Sequence, residues 1–171
     1  MRWTLAALLA LAVGGSVFAQ KTTSGHVSDA GKYSVVFPVK PSKLEDDKSL
    51  STAGGTLTLV TTRAEVNGVT YSVTYTDYPD TIRDVSPAVI LDGVVNGMKG
   101  SDGEATAKQE LTGLTDGASG RVVTITAREN SVRAKVVYTG RRLYLIQVCG
   151  KKDAVKVTAA DEFLSSFVLR N

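Results

Sequence analysis

The strongest constraint on how this chain can fold is a run of strands that are apolar on both faces. In residues 143–148, Leu143, Leu145 and Gln147 point one way and Tyr144, Ile146 and Val148 the other, because side chains alternate across a strand. A strand of this kind needs a cover on each side. Residues 121–127 are similar, with Val122 on one face and Val123 and Ile125 on the other. Together with 105–111 and 132–138 they make four consecutive strands. Turns at Asp116-Gly117, Glu129-Asn130 and Gly140-Arg141 divide them, which describes an antiparallel meander.

Upstream, residues 33–37 form a short strand stopped by Pro38 and Pro41. Residues 44–55 are charged and then glycine-rich, and read as a loop carrying Glu45, Asp46 and Asp47. Residues 56–65 and 69–76 flank Val66-Asn67-Gly68; Asn-Gly accepts the positive φ values of a tight turn, so these two runs form a hairpin. After a turn-rich stretch, Ser86-Pro87 starts a helix that runs to Met98 or Lys99 and stops at Gly100. Val89, Ile90, Val94 and Met98, with Leu91 beside them, give it an apolar stripe. A final helix has Thr158 as N-cap, Asp161 three residues on, and Phe163, Leu164 and Phe167 as anchors. The pattern predicts one α+β domain over residues 32–171, an antiparallel sheet of about six to seven strands with two main helices packed on it.

Residues 1–19 read as a signal peptide and not as part of the fold. Arg2 supplies the positive end, residues 4–13 form an apolar run too short to span a bilayer, and Gly14, Gly15 and Ser16 break it. Val17-Phe18-Ala19 then places small residues where a signal peptidase reads, so cleavage is expected after Ala19. Residues 20–31 are polar and lack periodicity, and are expected to be a flexible lead-in. No later segment reaches transmembrane length, so the cleaved protein is expected to be periplasmic or extracellular with no integral membrane segment.

The composition removes several kinds of chemistry. The formal net charge of +3, which falls to +2 when Arg2 leaves with the signal segment, is ordinary for a secreted domain and gives no case for nucleic acid, which calls for a concentrated basic stripe. Cys149 is the only cysteine and ends an apolar strand, so it cannot form an intramolecular disulfide and reads as buried and inert. His26 is the only histidine and falls in the lead-in, which argues against a Ser-His-Asp or Cys-His centre and against His-based metal sites. The phosphate-binding glycine motifs and the Gly-x-Ser-x-Gly elbow are missing from the sequence. A glycosidase calls for sugar-binding aromatics, yet the one tryptophan, Trp3, lies in the signal segment.

The path along the chain resembles a known family. It runs from Phe37-Pro38-Val39-Lys40-Pro41 to a hairpin and a helix containing Leu91-Asp92-Gly93. A strand beginning Gly120-Arg121 follows, then a Tyr-Thr-Gly-Arg-Arg-Leu-Tyr hairpin from Tyr138 to Tyr144 and a closing Phe163-Leu-Ser-Ser-Phe167. It is similar to the small exported bacterial proteins related in fold to PsbP, the extrinsic subunit of photosystem II. The resemblance implies an α/β/α sandwich over residues 32–169 and an accessory or binding role, with no functional residue to carry over.

Three surface features are weighed as sites. Asp77, Asp80 and Asp84 share a loop and offer hard oxygen ligands for calcium, although their spacing lacks the glycine-centred pattern, and turn-forming aspartates are the plainer reading. Val69, Tyr71, Val73 and Tyr75 share a strand face that suits either a contact surface or the core side of the sheet. Arg141, Arg142, Lys151 and Lys152, with Arg133 and Lys135 on the preceding strand, bracket one hairpin and suit an anionic surface or an acidic partner. The expectation is a non-enzymatic exported accessory protein that needs no cofactor or metal and acts on a protein or anionic envelope partner. The alternative is a carrier of a small apolar ligand between sheet and helix; an enzyme using carboxylates or backbone groups is a third reading.

Overall fold

A computed structural model describes residues 23–170, apart from 53, 54, 102, 113 and 116. The signal-peptide reading and the Asp116 half of its turn lie outside the described residues.

The centre is a seven-stranded antiparallel sheet built from two meanders. The first comprises β3 (Lys43–Thr52), β4 (Gly55–Val66) and β5 (Val69–Asp77). The second comprises β6 (Glu104–Glu110), β7 (Ala118–Ala127), β8 (Asn130–Thr139) and β9 (Arg142–Lys151). The order β3-β4-β5-β9-β8-β7-β6 places the last strand of each meander side by side, so β5 and β9 form the middle. Between the meanders runs α1 (Pro87–Lys99), bounded as expected by Pro87 in its first turn and by Gly100 at φ 58°. Asn67 and Gly68 take φ of 52° and 73°, and Val66 pairs with Val69 across the turn, as the Asn-Gly signal requires.

Both faces of the sheet are covered, as its doubly apolar strands demand. On one face Ile90, Leu91 and Val95 of α1 lie against Val123, Ile125, Ala134, Val136, Tyr138 and Leu143. On the other, Tyr71, Val73, Tyr75, Val137, Tyr144, Ile146 and Val148 are buried. Their cover is α2 (Thr158–Ser166) together with a second, three-stranded sheet of β1 (Ser24–Ser28), β2 (Tyr33–Phe37) and β10 (Val168–Leu169), in the order β1-β2-β10. Tyr33, Val35 and Phe37 from this small sheet join Phe163, Leu164 and Phe167 in one core.

Four expectations are corrected. The main sheet has seven strands, the upper bound expected, but a second sheet of three strands brings the described total to ten, because the second cover is itself partly a sheet. Ser24–Ser28 of the supposed lead-in is a strand: its order comes from the backbone of β2, and an apolar pattern of its own is not needed. The charged stretch read as a loop is β3, an edge strand paired with β4, and charges are how natural sheets protect an edge from further pairing. At α2, Val157 occupies the N-cap and makes no side-chain cap, so Thr158 is the first helical residue and Asp161 turns to Arg133 instead.

Candidate anion-binding groove

Three chain-distant segments meet at one end of the β5–β9 pair. Asp77 on β5 stands directly opposite Arg142 on β9. Arg142 Nε donates to Asp77 Oδ1 and its NH2 to Oδ2, both at 2.6 Å, a two-pronged pairing that suits guanidinium and carboxylate geometry. Its NH1 donates to the Ala30 carbonyl at 2.7 Å, and its guanidinium lies 4.9 Å from the Tyr75 ring centre. The Tyr144 hydroxyl donates to the Gly31 carbonyl at 2.8 Å. Arg142 and Tyr144 therefore fasten the β1–β2 turn to the main sheet. The hydrogen bonds from Arg142 hold the Asp77 carboxyl below the ordinary carboxylate value, while burial pushes the Tyr144 phenol up.

Beside this junction opens a groove of about 940 Å³. Four cations line it: Lys32 from the β1–β2 turn, Arg141 from the β8–β9 turn, Arg142 at the start of β9, and Arg170 just beyond β10. Among the described residues of the lining, Asp77 is the one carboxylate. Arg141 pairs with Asp80 at 2.5 Å and Arg170 with Asp29 at 3.2 Å, but those carboxylates are 83% and 95% exposed. Pairs held so openly are worth about 0–1 kcal/mol, so an incoming anion can displace them. Leu114, Thr115, Thr139 and Leu169 complete the wall.

The six basic residues singled out from the sequence do not form one patch. Arg141 and Arg142 line the groove. Arg133 reaches α2, donating to Asp161 and to the Val155 carbonyl. Lys135 sits against the end of α2, its amine 5.5 Å from the Phe167 ring centre, and burial lowers its pKa. Lys151 and Lys152 are exposed at the opposite end of β9 from Arg142. A strand of ten residues puts the two ends roughly 30 Å apart. Lys32 and Arg170 were not singled out, since nothing local links positions 32 and 170; the Arg170 amide donating to the Lys32 carbonyl at 2.9 Å is a product of the tertiary fold.

The other candidates are absorbed by structure. Asp77 and Asp80 pair with Arg142 and Arg141, while Asp84 is exposed after the 3-10 turn Asp80–Ile82. Among the described residues no group of three or more His, Cys, Asp or Glu side chains is arranged to hold a metal ion. Val69, Tyr71, Val73 and Tyr75 are buried on the core side of the sheet. Glu45, at a bulge with φ 47°, accepts a 2.6 Å hydrogen bond from the Ser28 hydroxyl. Cys149 is partly buried, which raises its thiol pKa. His26 faces the rings of Tyr33 and Phe37 with its Nε2 buried and unpartnered, and burial lowers its pKa.

No family model matches the chain, and no curated protein matches it. The layers define an α+β fold, an antiparallel sheet covered on both faces. Among solved structures the chain is similar to cyanobacterial PsbP from Synechocystis sp. PCC 6803, with a TM-score of 0.52 and 15% identity over 93% of this chain and 98% of that one. At that identity the likeness is one of fold, and at that level the resemblance read from the sequence holds. No helix among the described residues is long and apolar enough to cross a membrane.

Proposed function

We propose that this protein is an exported, non-enzymatic accessory protein that binds an anionic partner through the groove lined by Lys32, Arg141, Arg142 and Arg170. The observation that carries this reading is the convergence of four cations from three distant segments on one open cleft. Arg142 fixes the floor, while Lys32, Arg141 and Arg170 offer charge at low cost. Neither the histidine nor the cysteine lines the cleft, which fits binding better than nucleophilic or acid–base chemistry. Residues 1–19 support export. The space under α1 is filled by Ile90, Leu91 and Val95, which counts against an apolar ligand between that helix and the sheet.

The test is affinity capture from native envelope extract with the mature chain and two charge-reversed variants. A partner lost by Arg141→Glu/Arg170→Glu and kept by Lys151→Glu/Lys152→Glu supports the groove. Equal recovery by both variants rejects it, as does a catalytic turnover that vanishes on a point substitution.

A further inference from the structure

The groove does not end at its cations. Leu114, Thr115 and Leu169 of its wall also line a second cavity of about 230 Å³. That cavity continues between Leu114 and the end of α2, where Val137, Phe167 and Val168 supply an apolar wall beside the polar groups of Thr115 and Lys135. Lys135 is the one charged lining residue among those described, and the lysine amine is already turned to the Phe167 ring and carbonyl. Val168, a large apolar side chain in a two-residue edge strand, is 56% exposed at its mouth. A cationic cleft that opens sideways into an apolar slot is complementary to a ligand with an anionic head and a hydrocarbon tail.

We infer that the groove binds a free medium-chain acyl carboxylate, its head among Lys32, Arg141 and Arg170 and its tail in the slot lined by Leu114, Val137, Phe167, Val168 and Leu169. This deepens the anion-binding reading above and rests on it. The carboxylate suits the forked donors of two arginines, which bind planar anions in a bidentate manner. The slot sets the length of the tail. A methylene group occupies about as much space as a water molecule in the liquid, about 30 Å³, so the cavity takes roughly eight such groups. Burying each methylene is expected to tighten binding about three- to fourfold until the slot is full.

Calorimetric titration with hexanoate, octanoate, decanoate and dodecanoate, below their micelle-forming concentrations, tests this on the mature chain. The expected result is affinity rising about three- to fourfold per methylene up to a tail of roughly eight carbons beyond the carboxylate and levelling off beyond. Octanamide, which lacks the charge, and acetate, which lacks the tail, are expected to bind at least tenfold more weakly than octanoate. Arg141→Glu/Arg170→Glu is expected to weaken octanoate at least tenfold. Val168→Ser, at an exposed position where folding is safe, is expected to weaken octanoate several-fold and leave heparin binding unchanged. Heparin binding that depends on the groove arginines, with no dependence on chain length, overturns the acyl ligand and leaves the anionic groove standing. Failure of both probes removes both readings.

Discussion

Replacing Phe163 with alanine tests whether α2 truly closes the second face of the main sheet. Phe163 is 1% exposed, with its ring centre 5.0 Å from that of Phe37 on the small sheet and 5.4 Å from that of Tyr71 on the main sheet. Removing the ring forfeits about 2 kcal/mol of apolar transfer free energy. Two aromatic contacts add about 0.5–1 kcal/mol each, and the cavity left behind adds to both. The expected loss is therefore about 3–5 kcal/mol, within the range for buried phenylalanines. For a domain of this size that lowers the melting temperature by about 10 °C. Urea unfolding of residues 20–171, followed by circular dichroism and tyrosine fluorescence, measures it directly. Val89→Ala, at a position 61% exposed on α1, is the control and is expected to change stability by less than about 0.5 kcal/mol. A Phe163→Ala loss below about 1 kcal/mol would falsify the docking of α2 described above.

Three further outcomes are expected. Neutral His26 is favoured by burial, so its contribution is intact above the ordinary pKa of 6.5 and is lost as pH falls through the lowered native value; melting temperatures between pH 5 and 8 are expected to show this in wild type and not in His26→Gln. Asp77 is held below its ordinary 3.8 by Arg142, so its contribution is present above that value and disappears as pH falls through the lowered one; Asp77→Asn is expected to be less stable at neutral pH and to show a shallower acid limb. The Arg133–Asp161 pair joins the main sheet to α2 through a carboxylate 62% exposed, so a double-mutant cycle in urea is expected to give a coupling of about 0–1 kcal/mol, and a larger value rejects the view that apolar packing carries this joint.

The parts of the fold that could be read in advance are those whose pattern is written locally. The Asn67-Gly68 turn, the Ser86-Pro87 start and Gly100 stop of α1, and the two-faced alternation of β9 each follow from residues next to one another. The strands that escaped were the ones ordered by a neighbour. β1 buries little beyond Ser28 and is held by β2, while β3 is almost wholly exposed and is held by β4. Local propensity is a weak guide where pairing decides. The groove divided along the same line. Arg141 and Arg142 stood out as a charged turn, but Lys32 and Arg170 became its neighbours only when β2 and β10 paired. Lys151 and Lys152 looked close to Arg141 and Arg142 in sequence and were separated by the length of the strand that joins them.

The small sheet also imposes an order on assembly. β2 lies early in the chain, yet its neighbour β10 follows every strand of the main sheet, and the β2–β10 pairing runs from Ser34 to Val168. As the polypeptide emerges, Tyr71, Val73 and Tyr75 therefore wait for residues 158–169 before their cover is complete. In that interval an apolar sheet face stands open to water, a condition that invites association between chains. If the chain is exported as proposed above, it passes through that interval each time it is threaded across the membrane. Its finishing step, the seating of Phe163 and Phe167 beneath the small sheet, is then the moment at which the surface becomes safe and the groove, with Arg170 as its last cation, comes into being.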